Sequence, residues 1–181
     1  MKKYKMLIFD MDGTILYTLE DLKNTTNYAL SEHGFPERTL EEVRQFVGNG
    51  IHKLIERAVP AGTSDADIEA VFTTFEIYYK DHCMDTTRPY DGINDLLTKL
   101  RAQGYMTAVV SNKVDFAVQD LVKDFFVGQF DVAIGEREGV RKKPAPDSVY
   151  EVLKEFDLKK DEVIYICLLY TSDAADEARS V

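Results

Sequence analysis

Asp10 and Asp12 stand one residue apart at the end of the apolar run LIF, with Gly13 and Thr14 directly behind them. Two carboxylates at that spacing can divide the work of a hydrolysis. One attacks an electrophilic centre and becomes covalently attached; the other gives a proton to the leaving group and later takes one from water. With phosphorus as the centre, Asp10 would become an aspartyl phosphate and Asp12 would serve the leaving alkoxide. Positive charge and N–H donors must then meet the phosphoryl oxygens. Ser111 and Asn112 of the SNK triplet, and Lys143 of RKKPAP, are of the right types. Gly13 would let backbone N–H groups approach a phosphate closely. Two anions brought together also need a divalent cation, and oxygen-only ligands suit magnesium.

Those residues lie far apart along the chain, so the elements between them must converge. Residues 5–9 form a short apolar run without helical period, which predicts a central strand buried on both faces. A helical block follows. Thr18 with Asp21 resembles a capping box, Leu19, Leu22, Thr26 and Ala29 keep 3–4 spacing, and Gly34 sits where a helix C′ glycine belongs. Thr39 with Glu42 and Ser64 with Asp67 open further helices. The turn Gly48-Asn49-Gly50 interrupts the block, and residues 15–87 are predicted all helical. From Pro89 the pattern changes to alternation. The spacing of Ile93, Leu96, Leu97 and Leu100 predicts a helix, TAVV (107–110) a strand ending at Ser111-Asn112-Lys113, and Val114 to Phe125 a helix. DVAI (131–134) and VIYI (163–166) are predicted strands around a helix at residues 149–156. Strands alternating with helices imply a parallel sheet with crossovers, and the helical block is an insertion after the first strand. In such a sheet ligands bind at the carboxyl ends of the strands. Asp10, Asp12, Ser111, Asn112 and Lys143 all fall there.

Composition narrows the partners. A net charge of −10 argues against a nucleic-acid surface, so an anionic substrate must be drawn by local cations or a metal. No apolar run reaches the length of a membrane span, and the short apolar stretch of the N-terminus runs into acids rather than a cleavage site. The two cysteines, Cys83 and Cys167, are too few and too far apart for a disulfide framework and suit a reducing cytoplasm. Taken singly, each motif has an ordinary structural reading. A D-x-D pair can be a solvated turn, Ser111-Asn112 a helix cap, Lys143 a loop residue and Gly48-Asn49-Gly50 a plain helix break. His33, His52 and His82 show no metal-ligand spacing and read as surface or satisfied structural histidines. The aromatic residues between Phe72 and Tyr79 fall at helical spacing and read as core. Function is carried by the combination at the strand ends.

Strand-D-x-D-G-T, strand-S-N-K and K-K-P-A-P-D together resemble the haloacid dehalogenase superfamily, over residues 1 to about 166. The stretches FVGNGIHKLIERAV, SNKVDFAVQDLV and GEREGVRKKPAPDSVYEVL are most similar to its phosphoglycolate phosphatase branch. The resemblance implies an α/β fold, with a Rossmann-like core (1–14 plus 88–166) and an inserted helical cap (15–87). It implies Asp10 as nucleophile, Asp12 as acid/base, and Ser111 and Lys143 as phosphate ligands. Magnesium would lie on Asp10 and the backbone carbonyl of Asp12, and the cap turn around Asn49 over the substrate. The expected activity is hydrolysis of a small phosphorylated metabolite such as 2-phosphoglycolate. A β-phosphoglucomutase-like enzyme, a pyrophosphatase and an inactive truncated fragment are the alternatives.

The sequence departs from this pattern in two places. Tyr17 stands where the branch usually has an acid. More consequentially, after VIYI the family continues with glycine and aspartate and then a further acid, which complete the metal site. Here Ile166 is followed by Cys167-Leu168-Leu169. Asp173 and Asp176 come too late in sequence to replace those acids. The string CLLYTSDAADE also resembles a translated sequencing adapter, so residues 167–181 read as a non-native tail and the core as C-terminally truncated.

Overall fold

The computed structural model describes residues 3–167; the acids Asp173 and Asp176, and all of the tail beyond Cys167, lie outside the described residues. In chain order the elements are β1 (Met6–Phe9), β2 (Leu16–Tyr17), α1 (Leu19–Glu32), α2 (Leu40–Phe46), α3 (Ile51–Ala58), α4 (Asp65–His82) and β3 (Arg88–Pro89). There follow α5 (Ile93–Ala102), β4 (Met106–Val114), α6 (Asp115–Phe125), β5 (Val132–Glu136), α7 (Asp147–Glu155) and β6 (Val163–Ile166). Contacts divide the chain into two compact units, one running to Leu16 and resuming at Pro89, the other spanning Tyr17–Arg88.

The first unit is built on a parallel sheet in the order β5-β4-β1-β6. Alternation along its strands makes two apolar faces. Met6 and Ile8 lie with Ala108, Val110, Ile134 and Val152 of α7 in one cluster. Phe9 and Val109 lie in the other, with Leu97 of α5 and with Val118, Leu121 and Phe126. A strand covered on both sides must be apolar at nearly every position, which is why MLIF carries no period a helix could use. Burying each of these larger side chains contributes about 1.5–3 kcal/mol. Register then sets the height of the functional edge. Phe9 pairs with both Val109 and Ile166, so β1 and β6 end at one level beside Val109 of β4, and the Asp10 N–H donates to the Ile166 carbonyl at 2.9 Å.

Two elements differ from expectation. Leu16–Tyr17, inside the block expected to be all helical, forms strand β2 and pairs with β3. The strand expected to end at Val110 continues through the SNK triplet to Val114, and its ladder with β5 shifts register between those residues. The closeness of Gly135 to the shifted segment explains why the ladder can resume. A Cβ added there would lie 2.5 Å from Asp115 Cα and 2.7 Å from the Lys113 carbonyl oxygen. The Gly135 N–H instead donates to Asp115 Oδ1 at 2.7 Å. Gly135→Ala is therefore expected to lower stability by about 1–3 kcal/mol, because backbone atoms must move to admit the methyl group. Chemical denaturation measures this; an unchanged midpoint would show that β4 and β5 can separate freely here.

The second unit consists, among the described residues, of α1 to α4. Its core includes Leu30, Leu54, Ile55, Val71, Phe75 and Tyr79. The capping box at Thr39 and Glu42 forms, and Ser64 Oγ accepts the Asp67 N–H at 3.2 Å. Gly34, with φ 70°, closes α1 through N–H bonds from Gly34 to Ser31 and from Phe35 to Leu30. The expected box at Thr18 does not form. Thr18 makes no side-chain cap bond, and the buried Asp21 carboxylate turns to the Thr86 and Thr87 N–H groups at 2.8–3.1 Å and to the Thr86 hydroxyl. A carboxylate with several N–H donors within reach gains more there than from one capping contact.

Aromatic spacing in α4 resolves into two roles. Phe75 and Tyr79 are core, whereas Ile77 is 69% exposed, and Tyr78 stacks between Tyr28 and His82. The histidines bind neighbouring side chains: His33 meets Thr74, His52 meets Glu56 and Glu69, and His82 meets Asp85.

Candidate active site

Asp10 is the first residue beyond β1, and its side chain is nearly enclosed. Oδ1 accepts the Met11 N–H at 2.8 Å and the Lys143 ammonium at 2.7 Å. Oδ2 accepts the Cys167 thiol at 3.1 Å. Burial, and after it the neighbouring Asp10 charge, pushes the Cys167 thiol up to about 12, so at neutral pH the sulfur keeps its proton and donates.

Lys143 crosses from the loop before α7 to the end of β1. An ammonium has three N–H donors. Those of Lys143 have three acceptors: Asp10 Oδ1, the Tyr165 hydroxyl at 2.9 Å and the Val110 carbonyl at 3.2 Å. A phosphoryl oxygen would take the place of one of them, and the neutral tyrosine is the weakest of the three. Burial and the Asp10 charge raise the Tyr165 phenol far above its usual range, so it stays protonated and donates to the Val110 carbonyl. Tyr165 carries no sequence signal of its own, since it is one more large residue in an apolar strand.

Asn112, expected beside the phosphate, binds the main chain of Lys143. Its Oδ1 accepts the Lys143 N–H at 2.8 Å and its Nδ2 donates to the Lys143 carbonyl at 3.1 Å. That two-point clamp joins β4 to the loop carrying the cation. Ser111 is buried, and its Oγ accepts the Lys113 N–H at 3.2 Å. Neither residue caps α6, whose preceding residue is Val114 and which has no side-chain cap bond.

Asp12 lies in the turn after β1, which closes through N–H bonds from Thr14, Ile15 and Leu16 to the Met11 carbonyl. Gly13 sits at φ 74°, a conformation glycine adopts without strain, and its N–H donates to the Leu16 carbonyl at 2.9 Å. The glycine thus shapes the turn, and its own N–H is already engaged. Asp12 Oδ1 accepts the ammonium of Lys113 at 3.0 Å, a residue that strand-end reasoning passed over between Asn112 and the helix. In the second unit, Gly48 and Gly50 take φ 115° and 87° around Asn49, whose Oδ1 accepts from Arg57 at 3.0 Å.

Of the magnesium ligands that the resemblance implies, the Asp10 carboxylate and the Asp12 main chain lie among the described residues. Among the described residues no three His, Cys, Asp or Glu side chains are placed to hold a metal. Both Asp10 oxygens already face donors, and a protonated thiol is not the ligand form of cysteine. The described residues include no helix long and apolar enough to cross a membrane.

Comparison with known proteins agrees with this geometry. A family model described as haloacid dehalogenase-like hydrolase matches residues 7–167. A phosphoglycolate phosphatase of Mannheimia succiniciproducens is 30% identical over 172 residues, covering 91% of this chain and 77% of that protein. An N-acetylmuramic acid 6-phosphate phosphatase of Pseudomonas aeruginosa is 28% identical, covering 91% and 73%. Among solved structures, a candidate phosphoglycolate phosphatase from Lactobacillus delbrueckii superposes with a TM-score of 0.85 at 38% identity, covering 91% of this chain and 78% of that one. The parallel α/β core, the enclosed Asp10 and these matches have one common reading: the chain belongs to the haloacid dehalogenase-like hydrolases, as an enzyme of their phosphatase kind.

Proposed function

We propose that the chain hydrolyses small phosphomonoesters through an aspartyl phosphate on Asp10, with 2-phosphoglycolate as the leading substrate. The observation that carries this is the unequal loading of the Asp10 carboxylate. Its Oδ1 holds a backbone N–H and an ammonium, while Oδ2 holds only a thiol, a weak donor. Oδ2 therefore has least to give up in attacking phosphorus. As the Oδ2–P bond forms, the ester P–O bond breaks and Asp12 protonates the departing alkoxide. Asp12 then takes a proton from the water that attacks the aspartyl phosphate, which releases inorganic phosphate and restores Asp10. Lys143 and the donors around Ser111 balance charge on the transferring group. A magnesium ion held by Asp10 and the Asp12 main chain would draw negative charge from the phosphoryl oxygens. The free thiols Cys83 and Cys167 accord with a reducing, cytoplasmic setting.

The names of the relatives support the substrate class, and they differ among themselves in the ester. A panel of 2-phosphoglycolate, a hexose 6-phosphate, β-glucose 1-phosphate, pyrophosphate and 4-nitrophenyl phosphate separates the possibilities. The expected result is kcat/KM for 2-phosphoglycolate at least about tenfold above every other member, the size of one well-placed polar contact. Equal rates across the panel would remove 2-phosphoglycolate and leave a general phosphatase; turnover of pyrophosphate alone would replace the proposal.

A further inference from the structure

We propose that Lys113 is a positioning residue for Asp12, holding one oxygen of that carboxylate so that the acid/base group keeps a single orientation through both halves of the reaction. This rests on the proposed role of Asp12. The geometry is unusual for a surface ion pair. Lys113 and Asp12 are 101 residues apart, and the lysine side chain is only 2% exposed, against 18% for the aspartate. Lysine is among the residues least often buried, because removing its ammonium from water is costly without a well-placed anion. Here the cation arrives from the interior side of the site, and the aspartate keeps the greater access.

The strand end is arranged to deliver that ammonium. β4 persists past Val110 instead of turning into α6, which keeps Lys113 in extended backbone two residues beyond Ser111. Ser111 Oγ accepts the Lys113 N–H and ties down the backbone at this point. Gly135 admits the Lys113 carbonyl on the β5 side, where any Cβ would collide with it. Asn112, between them, clamps Lys143. Adjacent residues of one strand end therefore hold both halves of the chemistry: Asn112 fixes the backbone of the cation that faces Asp10, and Lys113 grips Asp12. Stability alone is a poor reason for such a pair, since well-packed apolar residues do as well or better in a buried position.

Two measurements on the whole chain test this. The first reads the pair without reference to turnover. Proton–nitrogen spectra of the lysine side chains should show a protected ammonium signal that disappears in Lys113→Met and that loses its protection in Asp12→Asn. A Lys113 signal indifferent to Asp12→Asn would overturn the proposal. The second reads the consequence. For an alkyl phosphate, whose leaving group must be protonated, Lys113→Met should lower kcat about tenfold or more and leave KM within about twofold. For 4-nitrophenyl phosphate, whose leaving group departs without help, the loss should be several times smaller. In an Asp12→Asn background, Lys113→Met should cost almost nothing further, because both changes remove the same function. Equal losses for both esters, or additive losses in the double variant, would make Lys113 a general structural residue and sink the proposal. If no ester is turned over by the parent chain, the proposed reaction fails, and the ammonium spectrum still decides whether Lys113 grips Asp12.

Discussion

Asp10→Asn is expected to reduce turnover of any phosphate ester by about a thousandfold or more, the scale seen when a nucleophile is removed from an enzyme whose parts act as a unit. An amide oxygen is a poor nucleophile towards phosphorus, and an acyl phosphate cannot form on an asparagine without loss of its nitrogen. The substitution keeps shape and volume, and the Met11 N–H can still donate to the amide oxygen. It does remove the anion facing the Lys143 ammonium at 2.7 Å, in a pair whose side chains are 8% and 18% exposed. Lys143 keeps the Val110 carbonyl and the Tyr165 hydroxyl as acceptors. Stability should therefore fall by about 1–3 kcal/mol, the cost of one poorly compensated polar group, without loss of the fold. Steady-state rates beside a denaturation curve separate the two effects. A folded Asp10→Asn protein retaining a tenth of the parent rate would exclude Asp10 as nucleophile.

The fold was legible because its strands differ from its helices in kind. MLIF, TAVV and VIYI are apolar without a helical period, and β1 pairs in parallel with both of the others. MLIF and TAVV are covered on both faces, whereas VIYI, at the end of the strand order among the described residues, leaves Tyr165 exposed. Capping was legible only where nothing competed. Thr39 and Glu42 formed their box, whereas Asp21 was drawn to N–H groups 65 and 66 residues away. No local pattern announces such a partner. The end of β4 is hard to read for a similar reason: Ser-Asn at a strand end has the texture of a helix cap, and the glycine on β5 that leaves room for the strand to run on is distant in sequence.

Types at the strand ends were easier to read than their partners. Asp10 and Lys143 do meet, but Asn112 turns to the Lys143 backbone and Gly13 to Leu16. A polar side chain can be placed at a strand end from its spacing; which of several donors and acceptors it chooses there depends on loop geometry. Lys113 shows the converse. A lysine between a strand and a helix has no periodic signature, and its burial is visible only once β1 and β4 lie side by side.

The second large effect is expected at the end of β6. The parent chain should show little magnesium-stimulated phosphatase activity, and Cys167→Gly with Leu168→Asp should raise it by about an order of magnitude or more. Magnesium wants near-octahedral oxygen donors, commonly one or two carboxylates with waters and substrate phosphate. Cys167 works against this twice: it keeps its proton at neutral pH, and it donates to Asp10 Oδ2, one of the oxygens a hard cation would need. Glycine at 167 removes that donor. Aspartate at 168 restores the acid that the family pattern places directly after the strand and its glycine. The single change Cys167→Gly distinguishes the two contributions, because it clears Oδ2 without adding charge. It should give a small gain, and the pair a large one, since a second carboxylate adds both a ligand and the charge that draws the ion from water. Rates with magnesium and with chelator, measured alongside metal titrations of all three proteins, decide the matter. If the parent is already as strongly stimulated as the double variant, the ligand comes from another part of the chain, and the thiol at Asp10 is no obstacle to it.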